Sequence, residues 1–201
     1  MTSKALIVFT RNPKLGKCKT RLAKSIGDKE ALDIYKYLLQ HTASVAKQIS
    51  GKRFVFYSEN IQEGDIWHNA FFNKRLQKGN DLGERMENAF KALFSEGFKK
   101  VIIVGSDLLD LNHEIIEKAY LKLDKNDIVI GPAEDGGYYL LGMKNLHKNI
   151  FKNKNWGTES VRAETLNDLK NNSVYMLKEL NDIDTFEDMQ HYEELKPFYS
   201  K

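Results

Sequence analysis

The apolar run Val101-Ile102-Ile103-Val104 stops abruptly at Gly105-Ser106-Asp107. A buried strand that ends on a carboxylate presents that group at the strand's C-terminal end, the edge of an open α/β sheet where ligands bind. A carboxylate there invites a divalent cation, and the cation in turn invites a phosphate. A second acid, Asp135, lies in Gly131-Pro132-Ala133-Glu134-Asp135-Gly136-Gly137-Tyr138-Tyr139. A plain hairpin turn does not need an acid set behind Gly-Pro and ahead of paired tyrosines.

Three further segments, and a lesser fourth, could carry chemistry. Arg11-Asn12-Pro13-Lys14-Leu15-Gly16-Lys17-Cys18-Lys19-Thr20-Arg21 crowds Lys14, Lys17, Lys19 and Arg21 into one loop. A loop after a first strand, leading toward a helix, is where nucleotide folds place phosphate. The spacing of a P-loop is absent. Like charges this dense repel, which an anion among them would relieve, although a solvated basic turn has the same composition. In Gly79-Asn80-Asp81-Leu82-Gly83-Glu84-Arg85-Met86 two glycines bracket a helix start, which suits either close backbone approach to a ligand or a simple cap. In Asn181-Asp182-Ile183-Asp184-Thr185-Phe186-Glu187-Asp188, Asp184 either returns a second carboxylate to the metal or, with Thr185, caps a helix. Trp156-Gly157-Thr158 suits stacking on a base or sugar, or a packing staple, and Thr158 reads as an N-cap.

The elements that must position these residues follow from periodicity. Runs of branched and aromatic residues predict strands over 5–10, 53–58, 101–105, 127–131, 138–143 and 174–178. Apolar stripes at helical spacing predict helices over 29–49, 82–98, 112–123 and 159–169. Asp81 followed by Glu84 resembles a capping box. Alternating strands and helices give an α/β fold with a mostly parallel sheet. The strands over 127–131 and 138–143 are too close for a helical crossover, so the sheet is mixed. Tyr138 and Tyr139 alternate, one toward the core and one toward the cleft.

Composition narrows the function. The chain has 201 residues, 41% hydrophobic and 29% charged, with a net charge of +3, which fits one globular domain over 1–201. Lys144, Lys148, Lys152 and Lys154 read as a solvated surface without the aromatic interleaving of a nucleic-acid patch, so no nucleic-acid partner is expected. One cysteine, Cys18, excludes an internal disulfide and a cysteine zinc site; it sits in the basic loop with no histidine near in sequence, which argues against a nucleophile. The five histidines lie too far apart to pair as metal ligands on one helix face, and no serine lies in a nucleophile elbow. No signal-like or membrane-spanning stretch is present, so a cytoplasmic protein without a membrane partner is expected. Trp67, Phe71 and Phe72 read as exposed aromatics of a packed surface; oligomeric state is not written in the sequence.

Pro-x-x-Gly-x-x-Lys-Thr-Arg-Leu from Pro13 to Leu22, Asp-Leu-Gly-x-Arg-Met from Asp81 to Met86, Gly-Ser-Asp over 105–107, Gly-Pro-x-x-Asp-Gly-Gly-Tyr over 131–138, Trp-Gly-Thr over 156–158 and Asp-Ile-Asp-Thr over 182–185 occur in one order. The set spans nearly the whole chain. It resembles the glycosyltransferase-A-like transferases found near radical-SAM and selenium-linked genes, and more distantly the molybdenum-cofactor and 2-phospholactate guanylyltransferases. The resemblance implies a Rossmann-like αβα sandwich of the nucleotide-diphospho-sugar transferase (GT-A) type. It further implies that Asp107 and Asp184 hold Mg²⁺ or Mn²⁺, and that Lys19, Thr20 and Arg21 hold the nucleotide's phosphates. Asp81, Leu82 and Gly83 would lie near the base or ribose, and Asp135, Gly136, Gly137, Tyr138 and Trp156 would face a small acceptor. Asp135 would accept the acceptor's proton or only hydrogen-bond it. After Gly-Ser-Asp the family often carries a proline two residues on, where this chain has Leu109. Three readings stand: glycosyl transfer from a nucleotide-diphospho-sugar, nucleotidyl transfer to a phosphorylated small molecule with pyrophosphate release, and nucleotide binding without catalysis.

Overall fold

The computed structural model describes residues 3–199; residues 1–2 and 200–201 of the expected 1–201 unit lie outside the described residues. The order is β1 (Lys4–Thr10), α1 (Thr20–Ile26), α2 (Asp28–Lys47), β2 (Lys52–Tyr57), β3 (Asn73–Leu76), α3 (Leu82–Ser95), β4 (Lys100–Val104), α4 (His113–Lys122), β5 (Ile128–Pro132), β6 (Tyr138–Met143), α5 (Val161–Asp168), β7 (Val174–Met176) and α6 (Phe186–Gln190). Short 3-10 turns follow β6 at Lys148–Phe151 and α6 at Glu193–Phe198.

The strands form one mixed sheet in the order β3-β2-β1-β4-β6-β5-β7. β6 runs antiparallel to β4 and β5, as the short connection between β5 and β6 requires. Alternation along β1 sorts the core into two layers. Leu6 and Val8 point into the layer that contains α2 and α4 side chains such as Tyr35, Leu39, Ile116 and Tyr120. Ala5 and Ile7 point into the layer with Met86, Phe90 and Leu93 of α3. The chain leaves β1 for β2 on one side, and β4 returns on the other side of β1. The crevice beyond Thr10 and Val104 is therefore the point where strand order reverses, the place such sheets bind ligands.

Two elements were not expected. β3, Asn73-Lys74-Arg75-Leu76, has no apolar alternation; it is an edge strand held by Arg75, whose guanidinium lies 4.5 Å from the Phe54 ring centroid and pairs with Glu96 at 2.5 and 2.9 Å. A charged edge also discourages pairing with another chain. α1 is seven residues long and fully buries only Leu22, too little pattern for a period to emerge. Three expectations need correction. Trp67 and Phe72 are 2% exposed and pack edge-to-face at 5.1 Å inside the core; of the three aromatics only Phe71 is exposed. The Lys154 side chain is buried against Asp168 at 2.5 Å, not solvated. Ser160, not Thr158, precedes α5, and the Thr158 hydroxyl instead bonds the Asn155 carbonyl.

Candidate active site

All four sequence segments converge on the rim where β1, β3, β4, β5 and β7 end. The β1–α1 loop is anchored before it can present anything. Buried Asn12 accepts from the Glu59 and Asn60 backbone N–H groups and donates to the Asn60 carbonyl. The buried Cys18 thiol bonds the Asn12 carbonyl, which gives it a structural role. Tyr35 of α2 ties this loop to the one after β4: its hydroxyl accepts from Arg11 N–H at 3.0 Å and lies 3.5 Å from the Ser106 hydroxyl. Burial raises the pKa of that hydroxyl. Tyr35 reads in the sequence only as part of a core stripe, so its role as a strut was not anticipated.

Lys19 starts α1 from a left-handed backbone conformation, φ 48° and ψ 47°, unusual for a residue with a side chain. Its side chain is 4% exposed, and its ammonium donates to Asp107 Oδ2 at 2.7 Å and Asp184 Oδ1 at 2.6 Å. Burial alone would lower the Lys19 pKa; the Asp107 and Asp184 carboxylates more than offset this, so the net shift is upward and the ammonium stays charged. The loop's expected self-repulsion is relieved from within the chain as well: Lys14 pairs with Glu59, and Arg21 comes within 4.0 Å of Asp184.

Asp107 does not cap the next helix, because Asn112 does, through its side chain to the Ile115 N–H. Thr185 does cap α6, in a full capping box with Asp188, and this box fixes the segment that carries Asp184. The same segment is laid against Asp107 by a bond from Ile183 N–H to the Asp107 carbonyl at 3.3 Å. Asp182 joins the group. One oxygen from each of Asp107, Asp182 and Asp184 lies within 4.8 Å of the others, a cluster of hard oxygen donors that could hold a metal ion. Burial first, then the Asp107, Asp135 and Asp184 carboxylates, raise the Asp182 pKa to about 7. A signal for Asp182 was present: Ile183 is buried, so the residues on either side of it in an extended segment point together to the opposite side.

The raised Asp182 pKa has a consequence for stability. A carboxyl that holds its proton more tightly when folded contributes stability that is complete below its unfolded pKa, near 4, and is lost as pH rises through about 7. In the absence of ligands, Asp182→Asn should flatten the decline in melting temperature between those limits. A wild-type decline that the substitution leaves unchanged would contradict this reading.

Two cavities meet at Asp107. The larger, about 550 Å³, is lined by Arg11, Lys19, Thr20, Arg21, Arg85 and Asp81 among others. The smaller, about 170 Å³, is lined by Asp135, Gly137, Tyr138, Trp156 and Asp182. Leu82, Gly105 and Asp107 line both. Arg11 and Arg85 lie inside the quoted segments but carry no role there, and Gln77, which also lines the larger cavity, belongs to no motif. Tyr138 and Tyr139 alternate, but not as one core and one cleft residue: they pack against opposite core layers and both line the smaller cavity, with the Tyr139 hydroxyl on the Lys178 carbonyl.

The motif glycines serve packing. Asp81 caps α3 by accepting from Glu84 N–H at 2.8 Å, while Glu84 turns back to Asn80 and not to Asp81, so the box is incomplete. Gly83 is buried, and a Cβ there would meet the Phe151 carbonyl at 2.4 Å and the Trp156 ring at 2.5 Å. It lets the indole lie flush on α3 and does not itself open toward a ligand. Gly136, at φ 88°, abuts the Glu159 backbone, where a Cβ would meet a carbonyl oxygen at 2.3 Å. The Asp135 carboxylate accepts Gly137 N–H at 2.8 Å and is held at the exposed rim. Gly83→Ala should cost about 1–3 kcal/mol in denaturant unfolding, because the ring and a carbonyl must both move; an unchanged midpoint would mean that this contact is slack.

Among the described residues no helix is long and apolar enough to cross a membrane. The model of a bacterial family described as "Uncharacterized protein conserved in bacteria (DUF2064)" matches residues 41–158. A candidate nucleotide-diphospho-sugar transferase from Desulfovibrio desulfuricans G20 is 30% identical, with a TM-score of 0.89 over 98% of this chain and 89% of that one. The 4-diphosphocytidyl-2C-methyl-D-erythritol synthase of Anaerococcus prevotii, 11% identical, has a TM-score of 0.65 over 98% of this chain and 96% of that one. A cytidylyltransferase from Leptospira borgpetersenii, also 11% identical, has a TM-score of 0.62 over 99% and 88%. The last two likenesses are of fold alone. No curated protein matches the chain.

Proposed function

The chain belongs to the bacterial DUF2064 family within the nucleotide-diphospho-sugar transferase superfamily, and we propose that it is a transferase that takes a nucleotide-activated donor in the larger cavity and a small acceptor in the smaller one. The observation that carries this reading is Asp107, at the end of the central strand β4, on the wall common to both cavities. The relative from D. desulfuricans, described as a candidate nucleotide-diphospho-sugar transferase, supports the same class.

The residues present suit a hard divalent cation. Asp107, Asp182 and Asp184 offer only oxygen ligands, and the chain already directs a cation, the Lys19 ammonium, to two of them. In this proposal those three aspartates hold Mg²⁺ or Mn²⁺. The metal supplies positive charge where the donor's phosphate oxygens gain negative charge. Lys19 and Arg21 add fixed positive charge at the same place, and Arg11 and Arg85 extend it along the cavity. Asp81 and Leu82 also line the larger cavity, and the base or ribose would lie against them. Asp135 faces the acceptor from the other cavity and accepts the proton of its attacking group, with Tyr138 and Trp156 as the walls that orient the acceptor.

Glycosyl transfer is the preferred chemistry: the acceptor attacks the sugar's anomeric carbon, and the nucleoside diphosphate departs. The four cationic side chains around the larger cavity favour a second reading, because they would also suit a triphosphate and its departing pyrophosphate. The two are separated by incubation with Mg²⁺ and panels of nucleotide sugars and nucleoside triphosphates. Release of nucleoside diphosphate from a nucleotide sugar is the expected result. Pyrophosphate release from a triphosphate would replace glycosyl with nucleotidyl transfer, and release of neither would leave a binding protein.

A further inference from the structure

The two cavities that share Asp107 are segregated by charge. The larger is lined by four cations, Arg11, Lys19, Arg21 and Arg85, against the carboxylates of Asp81, Asp107 and Asp184. The smaller, among the described residues, has no lysine, arginine or histidine on its wall; its charged groups are the carboxylates of Asp107, Asp135 and Asp182. Lys19 and the proposed metal compensate the Asp107 end, but nothing positive lines the cavity beside Asp135. Two cations on the neighbouring elements are already engaged: Arg162 of α5 pairs with Glu179, and buried Lys154 with Asp168. The remaining wall is largely apolar and includes Leu82, Met86, Tyr138 and the Trp156 indole. Trp156 is held in place by its contact with Gly83.

From this we infer that the acceptor is a small uncharged or cationic molecule with a ring or apolar face, and that it carries no phosphate. The inference rests on the proposal that the smaller cavity receives the acceptor. A phosphate beyond Asp107 would be set among apolar walls and beside the like charge of Asp135, with no cation in return. A hydroxyl or ammonium group finds the opposite: a carboxylate acceptor in Asp135, and an aromatic face that attracts cations. A volume of about 170 Å³ limits the portion inside the cavity to roughly one ring with its substituents. The same segregation favours glycosyl transfer over transfer to a phosphorylated acceptor.

The test uses three probes that share one ring: benzyl alcohol, benzylamine and benzyl phosphate. Binding is read from the fluorescence of Trp156 in a Trp67→Phe variant, which leaves one indole. Should that core substitution disturb folding, the difference between the wild type and Trp156→Phe gives the same signal. Benzylamine and benzyl alcohol should each perturb Trp156, with benzyl phosphate weaker by at least about tenfold. Asp135→Asn should narrow the gap between benzylamine and benzyl phosphate. Benzyl phosphate binding as tightly as the other two, with Trp156 responding, would overturn the acceptor class while leaving the cavity as the acceptor site. If none of the three perturbs Trp156, both the class and the site assignment fall.

Discussion

Asp107→Asn should lower turnover by about three orders of magnitude and abolish metal-dependent nucleotide binding, while the protein remains folded. The substitution keeps the shape of the side chain and an oxygen that can still accept from Lys19, so the loop after β4 keeps its local geometry. What it removes is charge, at the residue shared by both cavities. Asp107 is about one-third exposed, so the cost to stability should stay within about 1 kcal/mol. The pairing of a large kinetic loss with a small shift in melting temperature distinguishes a functional carboxylate from a structural one. Nucleotide binding that ignores both the metal and this substitution would remove the catalytic assignment.

Lys19→Met should be nearly as damaging to turnover, about 10²–10³-fold, but with a different signature. The ammonium is the most buried charge of the site, and two carboxylates close on it from β4 and from the segment before α6. Without it, Asp107 and Asp184 face each other with only the exposed Arg21, 4.0 Å from Asp184, to offset their charge. The ligand-free protein should lose about 1–2 kcal/mol, less than a fully buried pair would cost because both carboxylates are partly hydrated. A divalent cation that takes the vacated place should restore most of that stability, so the variant's melting temperature should respond more steeply to Mn²⁺ than the wild type's. A variant as stable and as active as the wild type would show that Lys19 is a bystander.

The framework was legible because β1, β2 and β4 each contain an apolar run of four or more residues and α2 and α3 are long amphipathic stripes. Their order leads to a mostly parallel α/β sheet, and the short connection between β5 and β6 makes it mixed. Asp107 was legible for the same reason, as the point where a buried strand meets a carboxylate. β3 was not, because an edge strand of charged residues is stabilised by Arg75 on Phe54 and Glu96 and has no period of its own. Nor could the sequence seat Lys19. Its partners lie 88 and 165 positions away, and only the convergence of the strand ends brings them together. Trp67 read as exposed because the loop around it is polar; in the fold, Phe72 closes over it. Asp182 was legible only in part: the Asp-Ile-Asp alternation sets it beside Asp184, but that both acids face the site depends on the burial of Ile183 between them.

The most direct measurement is the anomalous diffraction of a crystal soaked with Mn²⁺ and a nucleoside diphosphate. The account predicts a manganese peak among the carboxylates of Asp107, Asp182 and Asp184, with the diphosphate in the larger cavity beside Lys19 and Arg21. A diphosphate bound elsewhere, with no manganese at these carboxylates and Lys19 still seated between Asp107 and Asp184, would contradict it.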